Sequence, residues 1–200
     1  MNLAIFISGR GSNLQAINEA IQSGHITNAR IACVISNKEQ ALGLSYARNQ
    51  GLEAHYVNPK AYESRDAYDA ALLKMMQERN IDLICLAGYM RIITPVLTEA
   101  YAGRMMNIHP SLLPAFGGLD AQKQALDYGV KVSGCTVHFV DSGMDTGPVI
   151  LQRPVLVEDN DSVESLSARI HEQEHKAYPM AIQLFTSGKL ELDGRVVRQV

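Results

Sequence analysis

Short runs of apolar and β-branched residues, most of them separated by stretches with helical spacing, constrain this chain's fold more than any other feature. They read LAIFIS (3–8), ARIACVIS (29–36), EAHYV (53–57), IDLICLAGY (81–89), RMMNI (104–108) and GCTVHFV (134–140). Near-continuous apolar runs belong to strands buried on both faces, as in a parallel sheet whose crossovers are helices. SNLQAINEAIQSG (12–24) opens at a Ser and stops at Gly24, SRDAYDAALLKMMQERN (64–80) opens at Ser64, and TPVLTEAYAG (94–103) carries Pro95 at its first helical position. GPVILQRPVLVEDND (147–161) predicts a further strand and its exit. A long helix is then expected from near Asp161, whose spacing to Glu164 resembles a capping box, with a kink or restart at Pro179. The rhythm predicts an α/β, single-domain, Rossmann-like fold with a mostly parallel sheet flanked by helices, formed by residues 1–188, and a C-terminal tail at 189–200.

Composition narrows the function classes. The chain has 200 residues, 46% hydrophobic and 20% charged, with a net charge of −3; it is long enough to bury a core and has no basic stripe to track a nucleic acid. With no Trp and 6% aromatics, a base-stacking platform is not expected either. No long apolar run predicts a membrane span, and Met1 leads straight into a strand-like run without a signal-peptide pattern, so a cytoplasmic protein acting on small molecules is expected. Cys33, Cys85 and Cys135 are odd in number and lie inside strand-like runs, which suits reduced core residues rather than disulfides or a metal cluster.

In such folds ligands bind beyond the carboxyl ends of the strands. SGRGSNLQ (8–15) sets Gly9 and Gly11 between a strand and a helix that opens with Ser12 and Asn13, so free amides, the helix dipole and short polar side chains can converge on an anion. The third Gly of a dinucleotide fingerprint would fall at Leu14, no acidic residue ends the second strand, and the Lys of a nucleoside-triphosphate loop is missing. A monophosphate site remains, beside the plainer reading of a glycine turn for close strand–helix packing. In MNIHPSLLP (106–114), strand alternation puts Asn107 and His109 on one face before Pro110 ends the strand. A carboxamide beside an imidazole can stabilise an oxyanion and move a proton, although a hydrogen-bonded His at a strand end explains the same residues. DSGMDTGPVI (141–150) offers Asp141 and Asp145 in a turn, and MRII (90–93) offers Arg91 to an anionic tail beside apolar residues; an ordinary acidic turn and a surface Arg are the alternatives. HEQEH (171–175) matches the zinc-protease pattern H-E-x-x-H, but KAYP breaks its longer form and no His follows.

Taken in order, SGRGSNLQAI, LAGYMRI, MNIHPSLLPAF, GCTVHFVDSGMDTGPVI and HEQEHKAYP resemble the phosphoribosylglycinamide formyltransferases, over residues 3 to about 188. The resemblance implies transfer of a formyl group from the cosubstrate 10-formyltetrahydrofolate to the amine of 5-phosphoribosylglycinamide in purine biosynthesis, with no metal. By position, Gly11, Ser12 and Asn13 would hold the ribose phosphate and Glu174 the sugar or glycinamide part. Met90, Arg91, Ile92 and Ile93 would line the folate site, with Arg65 and Asn107 also beside it. Asn107, His109 and Asp145 match the catalytic trio: Asn107 and a protonated His109 would face the oxyanion, and Asp145 would favour the charged imidazole and order a relay water. Asp120 stands where some members have His, and Thr146 replaces a Gly of a common DGGPV form. Small-molecule substrates, no nucleic acid, no membrane, and a monomer or homodimer are the expected associations. Rival readings are a formyltetrahydrofolate hydrolase, a methionyl-tRNA formyltransferase and a non-catalytic sugar-phosphate or folate binding module.

Overall fold

A computed structural model describes all residues from Met1 to Val200. The expected strands form one seven-stranded sheet: β1 (Asn2–Ile7), β2 (Arg30–Ser36), β3 (Ala54–Tyr56), β4 (Leu83–Leu86), β5 (Met105–His109), β6 (Val132–Phe139) and β7 (Val149–Leu156). Their order is β3-β2-β1-β4-β5-β6-β7. Strands β1 to β5 pair in parallel, whereas β5–β6 and β6–β7 are antiparallel. The chain steps outward from β1 in one direction and then returns to its other side at β4. This reversal opens a crevice beyond the carboxyl ends of β1 and β4.

Helices α1 (Ser12–Gln22) and α6 (Val163–Thr186) help cover one face; α3 (Arg65–Glu78) and α4 (Pro95–Ala100) cover the other. Alternation along the strands divides the core accordingly: Leu3, Ile5 and Ile7 enter the first cluster, Ala4 and Phe6 the second. Two short helices, α2 (Leu42–Asn49) and α5 (Ala121–Tyr128), carry no side-chain N-cap, and none was foreseen there. The long helix is capped by Ser162 and Ser165 in a reciprocal pair, which displaces the expected Asp161–Glu164 box by one residue. Pro179 lies inside it without a restart, although its missing N–H leaves the carbonyl of His175 without a helical donor. Immediately before that proline, the fully buried Tyr178 hydroxyl lies 3.1 Å from the carbonyl of Leu86, the last residue of β4, and 3.0 Å from that of Met106, the second residue of β5. The tail is folded: β8 (Leu190–Asp193) and β9 (Val196–Gln199) form a hairpin whose Leu190 and Val197 pack on the larger core. The cysteines are free and buried, and burial pushes the Cys33 and Cys135 thiols up to about 12, so they are unreactive core residues.

Candidate active site

The glycine turn after β1 is built by packing before any ligand arrives. Gly11 has φ 79°, and a Cβ there would lie 2.8 Å from Gly43 Cα; the Gly43 amide donates to the Gly9 carbonyl at 3.1 Å. Two glycines therefore let the start of α2 press on the turn, so the packing role and the open helix end coexist. Gly11 is the N-cap of α1 and supplies no side chain, leaving the first-turn amides of Ser12 and Asn13 uncapped. Ser8 binds this turn to its neighbours: its amide donates to Gly88 O at 3.1 Å, and its hydroxyl donates to Asn37 Oδ1 at 2.6 Å while accepting from the Met90 amide at 2.7 Å.

Asn13 and Glu174 meet although 161 residues separate them; Asn13 Nδ2 donates to Glu174 Oε2 at 2.9 Å. Both are buried, and Asn13 Oδ1 has no partner, an acceptor held ready for a ligand donor. Burial raises the Glu174 carboxyl above its ordinary range; the Asn13 amide and the nearby His171 and His109 rings oppose this. Glu174, at a variable position of the H-E-x-x-H match, is thus spent on this pair, while His171 and His175 stack on each other with ring centres 6.4 Å apart.

At the end of β5, Met106 and Ile108 enter the α1–α6 core and Asn107 and His109 point to the opposite face, as alternation requires. Asp145 reaches them from the loop between β6 and β7. Its Oδ2 lies 3.3 Å from His109 Nδ1 and accepts the Gly118 amide at 2.8 Å, while its Oδ1 lies 3.4 Å from Asn107 Nδ2. His109 Nε2 faces the Phe116 carbonyl at 2.8 Å. Both ring nitrogens face acceptors, so both contacts become hydrogen bonds only when both nitrogens carry hydrogen. The three residues converge, and His109 is buried, with 5% of its surface exposed.

His138 joins them and was not foreseen. It is the register partner of Asn107 on the antiparallel β6, where the β6–β7 ladder shifts, and its Nε2 lies 3.3 Å from Asn107 Nδ2 and 3.7 Å from Asp145 Oδ1. Burial lowers its pKa, only partly offset by its contact with the Phe139 carbonyl and the Asp145 charge. A neutral ring with Nδ1–H donating to Phe139 O at 2.7 Å leaves Nε2 to accept from Asn107 and so aims the carboxamide. The alternation of TVHFV puts His138 on one face, but only the antiparallel return of β6 sets it beside Asn107.

The 90–93 segment follows β4 across the crevice. Met90 and Ile92 expose 61% and 59% of their surface, an apolar edge that faces solvent without a covering element. Arg91 stacks over the Tyr68 ring at 4.7 Å, and Tyr68 shares a hydroxyl contact of 3.0 Å with Tyr89. Ile93 is half-buried against the α3–α4 core, and the buried Asp69 accepts the Thr94 amide at 2.6 Å to hold the segment's far end. Arg65, the first residue of α3, is exposed and its side chain makes no hydrogen bond or ion pair.

Residues 1–182 match the formyl transferase family. Phosphoribosylglycinamide formyltransferase of Escherichia coli K12 is 44% identical over 192 residues, which cover 96% of this chain and 90% of that protein. The crystal structure of glycinamide ribonucleotide transformylase 1 from Symbiobacterium toebii is 51% identical, with a TM-score of 0.98 over 100% of this chain and 94% of that one. The chain also matches trifunctional purine biosynthetic proteins adenosine-3; it is 45% identical to the human one over 190 residues but spans only 19% of its length, and 14% of the Chironomus tentans one. Likeness sustained from end to end of single enzymes of this size covers every element that builds the crevice, and the chain belongs to the formyl transferase family, among the phosphoribosylglycinamide formyltransferases.

Proposed function

We propose that this protein transfers the formyl group of 10-formyltetrahydrofolate to the amine of 5-phosphoribosylglycinamide. The observation that carries this reading is the convergence of His109, Asn107 and Asp145 beyond β5, in the crevice that also holds the Asn13–Glu174 pair. The ribose phosphate would sit on the uncapped end of α1, where partial positive charge favours an anion. Glu174 and the free Asn13 Oδ1 offer acceptors to sugar hydroxyls or the glycinamide N–H groups. The exposed Met90 and Ile92 would flank the flat folate ring, and Arg91 or the exposed Arg65 its anionic tail.

The chemistry follows from these positions. The substrate amine attacks the formyl carbon, a C–N bond forms, and the carbonyl electron pair moves to oxygen. Asn107 Nδ2 and the His109 Nε2–H donate to that oxyanion, the latter in exchange for its 2.8 Å contact with the Phe116 carbonyl; the Asn107 contacts to His138 and Asp145, at 3.3 and 3.4 Å, are long enough to give way. The bond from carbon to the folate nitrogen breaks and that nitrogen takes a proton from His109, while the proton lost by the amine passes through a water beside Asp145 back to the ring, so tetrahydrofolate leaves neutral at that atom and His109 ends charged as it began. Asp145 stabilises the ring in its charged form, before the proton is given up and after it is regained.

The test is a turnover assay on the purified protein. Tetrahydrofolate release that requires phosphoribosylglycinamide supports the reading. Release without the acceptor identifies a hydrolase instead, and binding without turnover a binding module.

A further inference from the structure

The loop that delivers Asp145 is closed by side chains that the transfer reaction does not itself use. Asp145 has φ 54°, in the left-handed region that non-glycine residues seldom adopt and keep only where their surroundings over-determine it. Its carboxylate is held from outside the loop by the Gly118 amide and His109. Within the loop, the next residue supplies the restraint: the Thr146 hydroxyl donates to Asp141 Oδ1 at 2.7 Å, and the Gly143 amide donates to the same oxygen at 3.0 Å. A ring therefore closes over residues 141–146. It is tight enough that a Cβ on Gly143 would lie 2.0 Å from Thr146 Oγ1. Immediately beyond, a Cβ on Gly147 would lie 1.8 Å from the Phe139 carbonyl, so the backbone is also fixed where it turns back into β7. Neither Asp141 nor Thr146 bonds to Asn107, His109 or His138.

We propose that Asp141 and Thr146 are positioning residues, a latch that holds the loop in the one conformation that presents the Asp145 carboxylate to His109. This rests on the formyl-transfer reading for its effect on rate, though the latch itself has a readout of its own. Asp145 accepts the Gly118 amide only when docked, so the Gly118 amide resonance of the ligand-free protein reports its position without any turnover.

The experiment compares Thr146→Val, which removes the hydroxyl at nearly constant shape, with Thr146→Ser, which keeps it, and with Asp141→Ala and the Asp141→Ala/Thr146→Val double variant. Thr146→Val is expected to lower kcat about three- to tenfold, the size of one solvent-exposed hydrogen bond, with KM for phosphoribosylglycinamide and the melting temperature unchanged. Its Gly118 amide should shift and broaden. Thr146→Ser should restore both readouts, and the double variant should be no worse than Asp141→Ala, which already removes both the Thr146 and the Gly143 contacts. A Thr146→Val protein with normal kcat, a rate loss with an undisturbed Gly118 resonance, or additive losses in the double variant each overturns the proposal. If the unmodified protein shows no acceptor-dependent transfer, the functional reading fails and the Gly118 resonance alone decides the latch.

Discussion

Asp145→Asn isolates charge from shape at the centre of the site. The amide oxygen can still accept from the Gly118 N–H at 2.8 Å, so the loop stays anchored, but the negative charge 3.3 Å from His109 Nδ1 is gone. At that distance a unit pair is worth about 5 kcal/mol at an effective dielectric of about 20, which is an upper bound for a carboxylate still partly reached by solvent. The Asp145 side chain is 13% exposed, and taking roughly half the bound leaves about 2–3 kcal/mol of lost stabilisation for the charged ring, or about a hundredfold in kcat. Steady-state tetrahydrofolate release should show that loss in kcat, with KM for phosphoribosylglycinamide little changed, since the phosphate site on α1 is untouched. A loss below about fivefold, or one confined to KM, would refute the argument that Asp145 acts through the charge of His109. Asp145→Ala, which also abandons Gly118, should be worse than the amide.

Glu174→Gln keeps an acceptor for Asn13 and removes a buried charge. The folded-state pKa of Glu174 is raised by burial, so its contribution to stability is full below the ordinary Glu range and is lost as pH rises through the raised value. The variant should therefore melt higher than the parent near about pH 8 and equally near about pH 4, at about 2–4 °C per kcal/mol for a chain of this size, while binding phosphoribosylglycinamide more weakly. An unchanged or lower melting temperature at the higher pH contradicts this. Gly43→Ala would place a Cβ 2.5 Å from Ile7 Cδ1 and 3.2 Å from Gly11 Cα. It should cost about 1–3 kcal/mol in denaturant unfolding and raise KM for phosphoribosylglycinamide while sparing that for the folate; equal effects on both substrates would detach Gly43 from the phosphate turn.

The parallel strands were legible because burial on both faces leaves near-continuous apolar runs, and α3 and α4 because Ser64 and Pro95 mark their starts. Strand period alone sufficed to set Asn107 and His109 on one face. The helix α2 was not legible: Ala41 is no cap, and Gly43 at its second position speaks against a helix until its contact with Gly11 is seen. His138 was missed for a different reason. Its partnership with Asn107 is created by the reversal of strand direction after β5, a long-range event that leaves no local signal. Likewise the meeting of Asn13 with Glu174 joins the first helix to the last, and no spacing in the chain announces it. Periodicity registers what a residue's neighbours in the chain require, whereas the site is assembled by contacts that cross the sheet.

The Tyr178 hydroxyl has one hydrogen and two carbonyls to serve, Leu86 at the root of the 88–93 segment and Met106 beside Asn107. The helix that owns it also carries Glu174, one turn away. Three walls of the crevice are thus moored to a single buried atom, and none can drift without releasing the others. On heating, the amine-substrate and folate halves of the site should lose their affinities together, at the temperature where α6 itself melts, rather than one after the other.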